Sequence, residues 1–198
     1  MARPYDFVLF DLGGVLVDVS IARAVEAWRE QTSATCGLVE AVITSGAKAS
    51  ADRGEVNEDG MRHLVEVASG LSLSREDFRA IWGAVVSWRP FVPGLLKRIN
   101  VPFGVLSNID PVHAAVLGPL AGASPCIYSF DIRAMKPEPA AFERAAAQLS
   151  VPATRVLYLD DRTENVAAAS AHGFCARETR SGADVEQALA PVLSAAGH

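Results

Sequence analysis

Short runs that are apolar at every position, each bounded by turn formers, constrain this chain more than any other feature. They fall at residues 7–10, 103–106, 126–128, 156–159 and 174–176. A strand with one wet face alternates apolar and polar side chains, whereas a strand covered on both faces does not. The runs therefore predict strands of a parallel sheet with helices on each side. Helical patterns lie between them. Residues 139–149 set Ala141, Phe142, Ala145, Ala146 and Leu149 on one stripe, with Pro139 in the first turn. A second helix is expected over 163–172, stopped by Gly173, and a third over 184–196 with Val185, Leu189, Val192 and Leu193 facing inward. Strands alternating with helices imply right-handed βαβ units and a doubly wound α/β sheet.

Residues 20–90 break this rhythm. They hold Trp28, Trp82 and Trp88 and helical stripes such as Met61, Leu64, Val65 and Ala68, with no convincing strand. The expectation is a small all-helical insertion after the first strand. Residues 1–19 and 91–198 then form the α/β core and 20–90 a cap. The 198 residues suffice for both.

Charge and composition exclude several function classes. A net charge of −5 leaves no broad basic surface for nucleic acid, so a small anionic ligand would be held by local cations or a metal. Cys36, Cys126 and Cys175 are too scattered for a disulfide framework or zinc site and read as reduced, mostly buried thiols. The apolar run over 7–17 is interrupted by Asp11, preceded only by Arg3 and followed by no small-residue cleavage site, so no signal peptide is expected. Other apolar stretches fall short of the roughly 20 residues of a membrane span. A cytoplasmic protein with no membrane partner is expected.

In open α/β sheets, ligands bind beyond the carboxyl ends of the strands. Asp11 follows the first strand in FDLGGVLVD, and Ser107 and Asn108 follow the second in VLSNID. Lys136 lies beyond the third in RAMKPEP, and Asp160 and Asp161 follow the fourth in LYLDDRTEN. Singly these are ordinary helix caps, turn residues and solvated surface groups. Together they would bring one hydroxyl, one ammonium and three carboxylates to one rim. Two unit charges about 4 Å apart repel by roughly 4 kcal/mol at an effective dielectric of 20. One lysine cannot neutralise three carboxylates, so a divalent cation is implied, and hard oxygen ligands suit Mg²⁺.

These four segments, in this order, resemble the haloacid-dehalogenase-like hydrolases over nearly the whole chain. The pattern is similar to the subfamily with a small helical cap, which includes bacterial glucose-1-phosphate phosphatases and the phosphatase domain of soluble epoxide hydrolase. ADRGEVNEDG, residues 51–60, looks like the family's helix-turn-helix signature in the cap. The resemblance implies a Rossmann-like core and an Mg²⁺-dependent phosphomonoester hydrolase for a small phosphorylated metabolite. It implies that Asp11 attacks phosphorus to give an aspartyl-phosphate. Asp161, the Asp11 carboxylate and the Gly13 carbonyl would bind Mg²⁺, with Asp160 behind them or as an alternate ligand. Ser107 would bond a phosphoryl oxygen, Asn108 would belong to the substrate site, and Lys136 would pair with both phosphate and Asp11.

One position departs from the family. Most of its phosphatases carry a second Asp two residues after the nucleophile, as general acid and base, and here that position is Gly13. Losing such a group typically costs 10²- to 10⁴-fold. Asp18 reads as a loop-ordering residue and not as its replacement. Two rivals stay open: a metal-independent dehalogenase, which also lacks that acid, and a non-catalytic phosphate-ester-binding protein. Adjacent acids at 160 and 161 favour the metal-assisted phosphatase. His113 reads as a helix-face residue and the cap tryptophans as its core. Lys48, Arg53 and Arg89 are candidate substrate contacts.

Overall fold

The computed structural model describes residues 3–32 and 37–194, so Cys36 lies outside the described residues. Strand β1 (Phe7–Phe10) leads into a short β2 (Val17–Val19). Five helices follow: α1 (Ile21–Gln31), α2 (Leu38–Ser45), α3 (Ala47–Asp52), α4 (Glu58–Ser69) and α5 (Arg75–Gly83). Then come β3 (Val86–Trp88), α6 (Val92–Leu96), β4 (Phe103–Ser107), α7 (Pro111–Leu117) and β5 (Ala123–Tyr128). The chain closes with α8 (Ser129–Ile132), α9 (Pro139–Gln148), β6 (Val156–Asp160), α10 (Thr163–Ala171), β7 (Cys175–Glu178) and α11 (Gly182–Leu189).

The expected doubly wound sheet is present. Its five strands run in the order β5-β4-β1-β6-β7, and every neighbouring pair is parallel. All residues of β1, β4 and β6 are buried, which is why these strands read as unbroken apolar runs. Successive side chains still face opposite ways. Val8 and Phe10 pack with Val105, Leu159, Val185 and Leu189 on one face, and Phe7 and Leu9 pack with Phe142, Tyr158 and Ala169 on the other. β1 is central, and the chain builds β4 and β5 on one side of it before returning to build β6 and β7 on the other. That reversal opens a crevice beyond the carboxyl ends of β1, β4 and β6.

The inserted helices enclose a separate apolar core of Trp28, Met61, Val65, Phe78, Ile81 and Trp82, to which α7 contributes Val112. Asn57 caps α4 by accepting from the Gly60 amide, and Gly70 closes it in the left-handed conformation. The turn between α3 and α4 lies directly against the core. Gly54 has φ +68°, and a β-carbon there would stand 2.2 Å from the Phe130 carbonyl oxygen, so only glycine permits the approach.

Several expectations need correction. Residues 20–90 contain a strand after all: β3 pairs antiparallel with β2, Val17 facing Trp88 and Val19 facing Val86. Three residues, Val86, Ser87 and Trp88, are too few to stand out beside a helical stripe. The last α-helix ends at Leu189 instead of continuing to 196, and a 3₁₀ turn, Ala190–Val192, replaces it. Pro191 lacks the amide that an α-helix interior needs. Cys126 and Cys175 are free but half-buried, not buried. Among the described residues no helix is long and apolar enough to cross a membrane.

Candidate active site

Asp11 is the first residue beyond β1, and its amide donates to the Leu159 carbonyl at 2.9 Å, extending the β1–β6 pairing by one residue. Ser107 is the last residue of β4 and is buried. Lys136 comes from the loop between α8 and α9, and that loop is clamped. Asn108 Nδ2 donates to the Lys136 carbonyl and Asn108 Oδ1 accepts from the Lys136 amide, both at 2.8 Å. The buried Lys136 ammonium lies 2.8 Å from Asp11 Oδ1 and 2.7 Å from Asp160 Oδ2. Asp11, Gly13, Ser107, Asn108, Lys136 and Asp161 thus line one cavity of about 440 Å³.

The adjacent acids have different surroundings. Asp160 is fully buried and its oxygens are saturated. Oδ2 accepts from Lys136, from the Tyr158 hydroxyl and from Asn165 Nδ2 at 3.1 Å. Oδ1 accepts from Asn165 Nδ2 at 2.9 Å and from the Arg162 amide at 3.0 Å. Asp161 is half-buried and, among the described residues, makes no ion pair or side-chain hydrogen bond to another residue. Its place depends on Gly14, which has φ +74°. One oxygen from each of Asp11, Asp160 and Asp161 falls within 4.8 Å of the others.

The electrostatics follow from this packing. Burial pushes the Asp11 carboxyl up to about 6 against the pull of Lys136, with Asp160 adding to the rise. Burial works the same way on Asp160, but the Lys136 charge and the donors around it prevail and hold it below the ordinary range. Asp161 is raised by burial and by the charge of Asp160. Burial opposes the charge on Lys136, yet its two carboxylates overcome that and hold it above its usual value. Three carboxylates against one ammonium leave two negative charges at the rim. Arg89 and Arg162 also line the cavity but are matched by their own partners, Asp18 at 2.8 Å and Glu164 at 2.8 Å. The unmatched charge, the oxygen-only donors and the space that Gly14 leaves for Asp161 all fit a divalent cation.

Other sequence candidates lie elsewhere or have other partners. Arg53 forms a surface pair with Glu138 at 2.9 Å. Asp18 joins the segment after β1 to the loop after β3 through Arg89, in keeping with a loop-ordering role. His113 is buried on α7, where Nδ1 lies 2.7 Å from Asp110 Oδ2 and Nε2 lies 2.9 Å from the Trp82 carbonyl oxygen. Lys48 pairs with Asp52 and lies 3.5 Å from Asp110 Oδ2. Sequence reasoning missed Tyr158, Asn165 and Gly14. The signal for Asn165 was its place five residues after Asp160 in an unbroken polar stretch. Tyr158 carried one too, as the single hydroxyl within the strand VLYLD.

Comparison with known proteins agrees with this architecture. A curated relative, the D-ribitol-5-phosphate phosphatase of Bacteroides thetaiotaomicron, is 24% identical over 201 residues, covering 94% of this chain and 98% of the relative. A solved HAD family enzyme from the same organism matches with TM-score 0.78 at 17% identity, over 93% of this chain and 98% of that one. That enzyme has also been solved in complex with magnesium and inorganic phosphate, a form matching with TM-score 0.74 at 16% identity over 90% and 96%. The L-2-haloacid dehalogenase of Xanthobacter autotrophicus matches with TM-score 0.60 at 17% identity, over 93% and 88%. These structural likenesses show the fold. The model of the haloacid dehalogenase-like hydrolase family matches residues 5–173, and the chain belongs to that family.

Proposed function

We propose that this hydrolase is a magnesium-dependent phosphomonoesterase that acts on a small phosphorylated metabolite through an aspartyl-phosphate on Asp11. The observation that carries the reading is the Lys136 ammonium held between Asp11 and Asp160, with Asp161 beside them and, among the described residues, without a side-chain hydrogen bond or ion pair. The curated relative is a phosphatase by name, and it aligns with this chain nearly end to end.

Asp11, Asp161 and the Gly13 carbonyl would hold Mg²⁺, while Asp160, committed to Lys136, Tyr158 and Asn165, fixes the site from behind. When bound, the ion would supply positive charge to the phosphoryl oxygens and balance the surplus carboxylates. Lys136 screens Asp11 from the incoming anion, and Ser107 and the Lys136 ammonium bind phosphoryl oxygens. An Asp11 oxygen then bonds to phosphorus as the bond from phosphorus to the alcohol oxygen breaks. The alcohol leaves with that electron pair and takes a proton. Water next attacks the same phosphorus, freeing phosphate and the Asp11 carboxylate. At Gly13 no side chain can give the leaving oxygen its proton, and Asp18 is tied to Arg89. The rate therefore falls as the alcohol becomes more basic. Within this reading residues 1–19 and 91–198 are the catalytic core, and 20–90 is the cap that excludes water and selects the alcohol.

The rival is metal-independent dehalogenation. Partner-free Asp161 favours the phosphatase, because a haloacid site has no need of a third carboxylate. Hydrolysis of p-nitrophenyl phosphate by wild type and Asp11→Asn, with Mg²⁺ or with chelator, tests the reading beside halide release from 2-chloropropionate. Chelator-sensitive phosphate release that vanishes in Asp11→Asn is expected. Halide release unaffected by chelator would replace it with dehalogenation, and ester binding without turnover would replace it with a non-catalytic role.

A further inference from the structure

A second cavity of about 620 Å³ opens between the inserted helices and the core, and it shares Gly13, Val19, Ser107 and Asn108 with the phosphoryl cavity. A phosphate ester seated at Asp11 would extend its alcohol into this space. The walls are overwhelmingly apolar, with Val42, Leu117 and Met135 among them. Val19, Ile21 and Val39, 57%, 45% and 37% exposed, also line it. These are three of the five large apolar side chains left exposed among the described residues, and they converge on this one cavity. Leaving such side chains uncovered marks a surface that receives an apolar group.

Among the described residues, the titratable side chains on the wall are Lys48, Asp52 and His113, and all three are already engaged. Lys48 binds Asp52 and approaches Asp110, while His113 lies between Asp110 and the Trp82 carbonyl. Trp82 Nε1 donates to the same Asp110 at 3.2 Å. This closed network leaves few donors or acceptors for a string of hydroxyls. A hydroxyl taken from water into such a cavity loses its partners.

We infer that the substrate's alcohol is predominantly apolar, an aromatic or aliphatic group, and not a polyol such as the pentitol in the curated relative's name. This rests on the phosphatase reading and specifies its substrate class. A hydrophobic pocket rejects one added hydroxyl by at most about 100-fold, and several act together.

The test compares kcat/KM of the wild-type enzyme with Mg²⁺ on 3-phenylpropyl phosphate and ribitol 5-phosphate, with p-nitrophenyl phosphate as the activity control. Both test esters have primary alcohols, and the polyol is the better leaving group, so leaving-group acidity works against the expected result. The aralkyl ester should exceed the polyol ester by about 100-fold or more, largely through KM. Ile21→Asn, at an exposed position on the cavity wall, should shrink that ratio by about tenfold. Equal or better turnover of ribitol 5-phosphate, with p-nitrophenyl phosphate still hydrolysed through Asp11, would overturn the inference and leave the phosphatase reading standing. Failure to hydrolyse any of the three esters would overturn both.

Discussion

A β-carbon on Gly14 would lie 2.1 Å from Oδ2 of Asp161. Glycine is therefore required at that position both for its backbone, at φ +74°, and for the space the carboxylate occupies. Gly14→Ala should displace Asp161 and weaken Mg²⁺ binding by about 10- to 100-fold, the usual range when a ligand loses its support. The backbone strain itself should destabilise the fold by only about 1–2 kcal/mol. Titration calorimetry with Mg²⁺ alongside thermal melts separates the two effects. Unchanged affinity would mean that Asp161 is not a ligand.

The two adjacent acids should respond in opposite ways to the same substitution. Asp160→Asn removes a carboxylate from a buried lysine, which costs on the order of 3 kcal/mol and lowers Tm by roughly 6–12 °C in a chain of this size. Asp161→Asn removes a carboxylate that Asp160 repels, so Tm should hold or rise in the absence of metal. The rise in Tm that Mg²⁺ gives the wild type should be lost in Asp161→Asn. Melting curves of both variants with and without Mg²⁺ check the contrast. Equal losses of stability would remove the distinction between anchor and ligand.

The network that joins α3, α5 and α7 gives a pH prediction. Burial pushes the Asp110 carboxyl upward, but the hydrogen bond and charge of His113, joined by Lys48, overcome it and hold the group well below the ordinary carboxylate range. A depressed carboxyl stabilises the fold above its unfolded pKa, and that stability is lost as pH falls toward the folded value. Asp110→Asn keeps an acceptor for the Val112 and His113 amides it caps while removing the charge. The variant should be less stable by about 3 kcal/mol at pH 7. The gap should narrow only as pH drops below about 4. Asp52, raised by burial, faces the same network and shifts the opposite way, but it is present in both proteins. Urea unfolding at pH 7, 5 and 3.5 measures the difference. A gap independent of pH would mean that the charge is not what stabilises the junction.

The sheet was legible because burial on both faces leaves a pattern that local chemistry cannot imitate: FVLF has no polar position to mistake for a turn. The carboxyl-end rule then singled out Asp11, Ser107, Lys136 and the acids at 160 and 161 without any distance in hand. β3 was not legible, since its hydrogen bonds come from β2, far away in sequence. Nor could sequence distinguish the environments of Asp160 and Asp161. That distinction is made by Tyr158, Asn165 and Lys136 converging on one carboxylate, which no spacing along the chain encodes. The apolar cavity was hidden for the same reason. Val39 on α2 and Leu117 on α7 meet only once their helices are set around a common space.

The first acceptor of the phosphoryl group decides whether Asp11 is the nucleophile. Acid-quenched single-turnover reactions with ³²P-labelled p-nitrophenyl phosphate and Mg²⁺, followed by peptide mapping, measure this directly. Label should appear transiently on the peptide that carries Asp11 and be absent from Asp11→Asn. Label on another residue, or normal turnover by Asp11→Asn with no labelled peptide, would contradict it.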